Sequence, residues 1–328
     1  MSYLDEHRNE IFKKYSNEEL IADINNFLYG KGRLNKVLNH FFEECIYNCS
    51  THRGTTPPMV ALQNDDIMKD ILEYINSKPN FYKSDEIGNV KSYFRNASRI
   101  SSKVANFPPR EATEIYFKYF PNALVDKTHK LNILDTSSGF GSRMSAVLLH
   151  GHNYYGFDPN VELHNKLIEC AKFYKDNGYI DDNQKYRLIK CGSEVFKPQF
   201  ENMFDVSFTS PPYFNLETYS NDGYASTSNY NDYNKWLEEF VRPTLENTYR
   251  YLKIGGYAMI NIKNPTRSRK YKFFDDWFNI FKSIEGFEFV EVFEMSQTSV
   301  KTVGYHSTYD PSCFAQCKEP VMVFKKIK

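Results

Sequence analysis

The sequence predicts an α/β protein, a mostly parallel sheet finished by an antiparallel C-terminal hairpin, with a helical module in front of it. Three observations carry this. Residues 1–103 repeat apolar positions at helical spacing between capping and stop signals. From about residue 104, short apolar runs alternate with helical stretches, the texture of βαβ units whose strands lie parallel with helices on both faces. The last two apolar runs are joined by a polar loop without an evident helix, which suits a hairpin at one edge of the sheet.

The helical module is read as residues 1–103. In SNEELIADINNFLYGKG, Ser16 and Glu19 form a capping box, Leu20, Ile21, Ile24, Phe27 and Leu28 make the apolar face, and Gly30 and Gly32 stop the helix. A second helix is expected from Leu34 to about Tyr47. The loop CSTHRGTTPPM interrupts the pattern. A further helix then starts at Asn64, with Ile67, Ile71, Leu72 and Ile75 on one face, and ends before Pro79.

The remainder, residues 104–328, is read as one α/β domain. Its expected strands are 130–137, 153–160, 186–193, 204–213, 255–264, 287–295 and 319–326, and helical stretches separate the first five. No internal repeat or low-complexity tract is present. Forty-one basic and forty-one acidic residues cancel, so a polyanion partner would need a local basic surface. No apolar run reaches the ~18 residues a membrane span requires, and the first ten residues, MSYLDEHRNE, are too charged for a signal peptide, so a cytoplasmic protein is expected. Cys45, Cys49, Cys170, Cys191, Cys313 and Cys317 lack the spacing of a zinc site, and they are read as free thiols with no metal.

The loop after the first strand, LDTSSGFGSRMSAVLLHG, carries the first chemistry. Gly139 and Gly141 let a ligand approach the backbone closely. A dinucleotide would call for a third small residue at position 144, where Met144 stands. Asp135, just before the loop, can accept hydrogen bonds from a cationic ammonium group. Asp158, at the end of the next strand, can take both hydroxyls of a ribose. The pattern favours S-adenosyl-L-methionine over a dinucleotide, although the same acids also serve as turn formers and helix caps.

The fourth strand ends in TSPPYF, Thr209 to Phe214. Two prolines fix their φ angles and supply no N–H, so the chain must turn there rigidly. Ligands of open α/β sheets bind outside the carboxyl ends of the strands, so this corner faces the cofactor loop. The chemistry follows from an exocyclic amine, whose lone pair is delocalised into its ring. Acceptors aimed at the amine protons would localise that pair, and Ser210 Oγ and the carbonyl between the prolines are suited to this. Tyr213 offers a face on which an extruded base can stack.

LDTSSGFG followed by TSPPYF resembles the amino-group (N4-cytosine/N6-adenine) DNA methyltransferases, over roughly residues 104 to 326. The resemblance implies a Rossmann-like methyltransferase sheet, S-adenosyl-L-methionine as cofactor and double-stranded DNA as partner, with or without a cognate restriction enzyme. It implies action in the cytoplasm of a bacterial cell or of a phage host. It places the catalytic motif on Ser210, Pro211, Pro212 and Tyr213, and its Ser-Pro-Pro-Tyr form looks most like the cytosine-N4 members, with adenine N6 the alternative. Asp135, Ser137, Gly139 and Gly141 fall on the family's cofactor motif, Asp158 on the acid after the second strand, and Ser193 near the adenine. NFPPREATEIYFKYF is similar to the family helix whose leading Phe107 packs on the methionine moiety. Motif order agrees with the gamma-type arrangement, and DTSSGFG departs from the commoner DPFSGSG. Carbon-5 cytosine methyltransferases use a cysteine after a proline, and no cysteine here follows one. Two other readings stand beside this one, an RNA or protein-glutamine methyltransferase and a binding module that has lost activity.

Target recognition is expected in the N-terminal helices. Lys91, Arg95, Arg99 and Lys103 recur every four residues, so one helix would present them to phosphates as a stripe, and a solvated face explains the same spacing. Lys263, Arg267, Arg269, Lys270 and Lys272 form a second basic stretch after the fifth strand, expected to contact the nucleic-acid backbone near the active site. The polar insertion NLETYSNDGYASTSNYND, after Phe214, is read either as a segment that closes over a target base or as a surface loop.

Overall fold

The computed structural model describes residues 1–51, 55–96, 100–126, 128–214, 216–219, 230, 232–265, 270–295, 300–301 and 319–328. The N-terminal module is helical: α1 Tyr3–Ile11, α2 Asn17–Leu28, α3 Asn35–Tyr47, α4 Pro58–Leu62, α5 Asp65–Asn76 and α6 Glu86–Arg95. The expected capping box opens α2, with Ser16 Oγ accepting from Glu19 N–H at 3.3 Å and Glu19 Oε2 accepting from Ser16 N–H at 3.1 Å. Asn64 Oδ1 caps α5 through the N–H groups of Asp66 and Ile67. The start of α3 has no side-chain cap of its own, and Asp23 of α2 reaches across to accept the N–H groups of Lys36 and Val37 at 2.7 and 3.1 Å. One expectation fails here. α6 ends at Arg95 and Lys103 lies in a non-helical segment, so no single helix carries the basic stripe.

All seven expected strands are present: β1 Asn132–Asp135, β2 Asn153–Phe157, β3 Tyr186–Ile189, β4 Phe204–Thr209, β5 Leu252–Asn261, β6 Phe287–Met295 and β7 Pro320–Lys326. Their order is β3-β2-β1-β4-β5-β7-β6, and the short segment Val300–Lys301 pairs beyond β6. β1, β2, β3, β4 and β5 pair in parallel, whereas β7 runs antiparallel to both β5 and β6. The hairpin expectation holds, with β7 inserted on the inner side.

Side-chain alternation splits the core between the two faces. Ile133, Val206, Met259, Val321 and Val323 join the N-terminal helices, α7 (Pro109–Phe117), α8 (Ser142–Leu148) and α9 (Val161–Asp176) in one cluster. Leu134, Ala258, Ile260, Met322 and Phe324 join a second, aromatic-rich cluster. That second cluster is covered by α10 (Tyr233–Trp236), α11 (Arg242–Tyr251) and α12 (Phe273–Ser283). A π-helical turn, Leu237–Val241, joins α10 to α11, and Pro243, which lacks an N–H, follows it. α12 was not anticipated from the sequence. Among the described residues no helix is long and apolar enough to cross a membrane.

The first core cluster runs without interruption from Leu4 to Val323. A two-stranded ribbon, Ser50–Thr51 against Glu217–Thr218, also ties the helical module to the segment after the proline corner. Cys49 supports the same junction, its thiol donating to the Tyr219 carbonyl at 3.2 Å.

Candidate active site

The register sets the site. Ile133 lies opposite Val206 and Leu134 opposite Ser207, so the chain leaving β1 at Asp135 and the chain leaving β4 at Thr209 emerge side by side. β2 flanks β1 on one side and β4 on the other, and at that reversal of strand order open α/β sheets form their ligand crevice.

In the loop after β1, Gly139 and Gly141 adopt φ of +57° and +74°. A Cβ on Gly141 would also lie 2.5 Å from ring atoms of Phe42, so this glycine is fixed both by conformation and by the approach of α3. Asp135 is fully buried. Its Oδ1 accepts from Ser137 N–H at 3.1 Å and Arg143 Nη2 at 3.4 Å, and its Oδ2 from Arg143 Nε at 2.9 Å and the Tyr154 hydroxyl at 3.0 Å. Burial, with the Asp135 charge beside it, pushes the Tyr154 hydroxyl well above its ordinary pKa, so it remains a donor. Arg143 also donates through Nη2 to the Ser137 carbonyl, and its guanidinium carbon lies 5.5 Å from the centre of the Phe107 ring.

Asp158 follows β2, part-buried. Its Oδ2 accepts from Gly139 N–H and its Oδ1 from Asn160 N–H, each at 3.1 Å. Burial raises its pKa to about 6, while those two N–H groups pull it back. Ser193 is buried and internally engaged, its hydroxyl 3.0 Å from Thr244 Oγ1 and its carbonyl accepting from Asn247 Nδ2 at 3.0 Å. Beside it, Glu194 holds Oε2 buried without a hydrogen-bond partner among the described residues, and burial raises its pKa.

At the corner, the Tyr213 hydroxyl accepts from Lys263 N–H at 3.1 Å, and its ring meets Phe273 edge-on at 5.5 Å. Phe214 takes φ of +44°, a strained conformation for a bulky side chain. Tyr233 and Tyr271 at 5.5 Å and Trp236 at 5.6 Å enclose its ring and hold it there. Ser210 is part-buried, and its hydroxyl makes no hydrogen bond among the described residues.

The basic residues fall into two groups. Burial raises the pKa of Glu43 on α3, and Lys91, Lys103 and Arg95 counter it, so an acid unforeseen in the sequence faces these cations. Lys103 lies 5.3 Å from the Tyr47 ring centre, and burial lowers its pKa. Lys270 is exposed, 5.3 Å from the Tyr271 ring centre. Arg99, Arg267 and Arg269 lie outside the described residues, as does most of the insertion after Phe214.

Sequence reasoning missed Arg143, Tyr154 and Glu194 as parts of this site; it singled out Lys263 as a cation, whereas the contact the structure shows at the corner is its backbone N–H. Only Arg143 left a signal, being a lone cation in the otherwise small and apolar stretch SRMSAVLL.

A sheet in which β7 runs antiparallel to both its neighbours, with the glycine loop and Asp158 at its point of strand reversal, defines the class as an S-adenosyl-L-methionine-dependent methyltransferase. Within that class, residues 204–328 match the family model of the N6/N4 DNA methylases, which bears out the resemblance seen in the sequence. No curated protein matches the chain. Among solved structures the chain is similar to a TehB-like SAM-dependent methyltransferase from Corynebacterium glutamicum, with 18% identity over 66% of this chain and 99% of that one and a TM-score of 0.39. It is similar to the tRNA (m1A58) methyltransferase TrmI from Aquifex aeolicus at 12% identity, 69% and 71% coverage and TM-score 0.38. An rRNA methylase from Streptococcus thermophilus follows at 11% identity, 69% and 100% coverage and TM-score 0.38.

The donor and acceptor set fits the nucleoside half of this cofactor. Ribose hydroxyls and an adenine amine are donors, and Asp158, with acceptor capacity left, and Glu194 Oε2, buried without a donor, are acceptors.

Proposed function

We propose that the chain methylates an exocyclic amine of a base in double-stranded DNA, with cytosine N4 favoured over adenine N6. The observation that carries this reading is the placement of Ser210-Pro211-Pro212-Tyr213 at the carboxyl end of β4, beside the β1 loop. When bound, the cofactor supplies an electrophilic methyl group on sulfonium sulfur. Asp158 holds the ribose hydroxyls, Glu194 accepts from the adenine amine with Ser193 supporting the turn, and Gly139 and Gly141 leave room at the loop. Phe107 lies against the methionine moiety.

Ser210 Oγ and the Pro211 carbonyl accept the two protons of the target amine. Both acceptors stand on backbone that the adjacent prolines make stiff, so their aim costs little reorganisation. This localises the nitrogen lone pair and orients it, and orientation supplies much of the acceleration. Tyr213 presents its ring to the extruded base, while Lys263 N–H and Phe273 fix that ring in place. Once methylated, the nitrogen is strongly acidic and releases its proton to water past Ser210.

Residues 1–103 are assigned to target recognition and 104–328 to catalysis. The ribbon between Ser50–Thr51 and Glu217–Thr218 supports this division of labour by joining the helical module to the corner's exit. Lys91, Arg95, Lys270 and, beyond the described residues, Arg99, Arg267 and Arg269 are assigned to phosphates. Lys103 is the weakest member of that group because of its burial.

The test is incubation with labelled methyl donor and mixed-sequence duplex DNA, RNA or protein, followed by digestion of the nucleic acids to nucleosides and of the protein to amino acids. N4-methylcytosine is the expected product. N6-methyladenine would move the target base, and label confined to RNA or protein would reject the DNA assignment.

A further inference from the structure

We propose that Arg143, and not Asp135, makes the polar contact with the amino-acid end of the cofactor, and that the group it reads is the α-carboxylate. The inference rests on the cofactor assignment above. It turns on which hydrogen-bonding sites are already occupied.

A carboxylate offers about four lone-pair directions. At Asp135 four donors fill them: Ser137 N–H, Tyr154 Oη, Arg143 Nε and Arg143 Nη2. A cofactor ammonium could bind Asp135 only by displacing one of these. Because Asp135 is fully buried and Arg143 is 5% exposed, displacement would leave a charged or polar group unpaired in the interior. The acid that the sequence offers to the ammonium is therefore engaged within the protein.

Arg143 has capacity left. Its guanidinium carries five N–H groups, of which Nε and Nη2 are directed to Asp135 and the Ser137 carbonyl. Nη1 has no partner among the described residues, and it is not one of the enclosed unpartnered atoms. The unengaged edge of the guanidinium thus lies where the side chain retains its small exposure. Its position is beside the glycine loop and under Phe107: Nη2 would be 3.6 Å from a Cβ on Gly139, and the Phe107 ring centre is 5.5 Å from the guanidinium carbon. The two N–H groups left on Nη1 carry part of the guanidinium charge, so they can donate to a carboxylate oxygen and repel an ammonium. Asp135 and Tyr154 hold the arginine at that position.

The test is calorimetric binding to the full-length protein, with no turnover involved. The ligands are S-adenosylhomocysteine, its decarboxylated counterpart and its deaminated counterpart. Loss of the carboxylate should weaken binding by about tenfold or more, and loss of the amine by less than about threefold. Arg143→Gln should bring S-adenosylhomocysteine to the level of the decarboxylated ligand and leave the latter unchanged, and Arg143→Lys should recover part of the difference. A larger effect of the amine than of the carboxylate overturns the proposal, as does an Arg143→Gln protein that binds all three ligands equally weakened. Should that variant not fold, the ligand series on the unaltered protein decides by itself. Failure of the unaltered protein to bind S-adenosylhomocysteine at all would instead remove the cofactor assignment, and this inference with it.

Discussion

The proposed contact of Asp158 with the ribose would make cofactor binding depend on pH in a way that can be worked out beforehand. Two of its lone-pair directions accept from Gly139 and Asn160 N–H groups, which leaves about two for the ribose hydroxyls, provided the carboxylate is ionised. Burial places its half-titration at about pH 6. At pH 5 roughly nine in ten molecules carry the neutral carboxyl, so affinity for S-adenosylhomocysteine should fall about tenfold from its value at pH 7.5, or ~1.4 kcal/mol. Asp158→Asn should bind weakly at every pH and show a flat profile over this range, which separates Asp158 from Glu194. The fold responds with the opposite sign. A carboxyl whose folded pKa lies above its ordinary value of 3.8 contributes stability that is present below pH 3.8 and is lost as pH rises through about 6. In the cofactor-free protein this group therefore lowers the melting temperature across that window, while the rise in melting temperature caused by added ligand grows. Calorimetry and thermal melts from pH 4.5 to 7.5 check both. An affinity that does not change between pH 7.5 and 5, or a slope that persists in Asp158→Asn, would refute the assignment of the ribose to this acid.

Three further outcomes follow from the geometry. Gly141→Ala must place a methyl 2.5 Å from Phe42 at φ of +74° and should cost ~2–4 kcal/mol in denaturant unfolding, whereas Gly178→Ala, at φ of +77° with open space around it, should cost only ~1–2 kcal/mol. Asp135→Asn leaves the Arg143 charge buried without its counterion and should destabilise by ~3–5 kcal/mol, and adding Arg143→Met should restore much of that loss in a double-mutant cycle. Tyr213→Phe keeps the ring but removes the acceptor for Lys263 N–H, so kcat should drop about fivefold to tenfold with cofactor affinity unchanged in a methyl-transfer assay.

The sheet was legible because its strands announce themselves locally, as short apolar runs punctuated by turn residues. Its order could not be read that way, since nothing in EPVMVFKK says that β7 inserts between β5 and β6. The helices of the N-terminal module were equally plain where caps and periodicity agreed, as at Ser16 and Asn64. The basic stripe misled because spacing by fours implies a helix only if the helix continues, and α6 stops at Arg95. Within the site, glycines and acids at strand ends were visible as residue types. Their occupancy was not, because it depends on partners distant in the chain: Tyr154 is on β2, Phe42 on α3, and Lys263 follows β5.

Asp135 and Asp158 show why that occupancy matters more than residue type. Each stands at the carboxyl end of a parallel strand, beside the same glycine loop, and each suits a cofactor contact by sequence alone. The difference is set by one residue two positions after Gly141. Arg143 turns back from the first turn of α8 and pairs with Asp135, and on the inference above this makes the acid a structural counterion. Asp158 is touched only by backbone N–H groups, which hold it in position and leave its outer lone pairs open. Phe42 completes the logic from the other side, because its ring presses on Gly141 and so sets the curvature of the loop that both acids flank. A residue of the N-terminal module thereby helps to shape the cofactor loop.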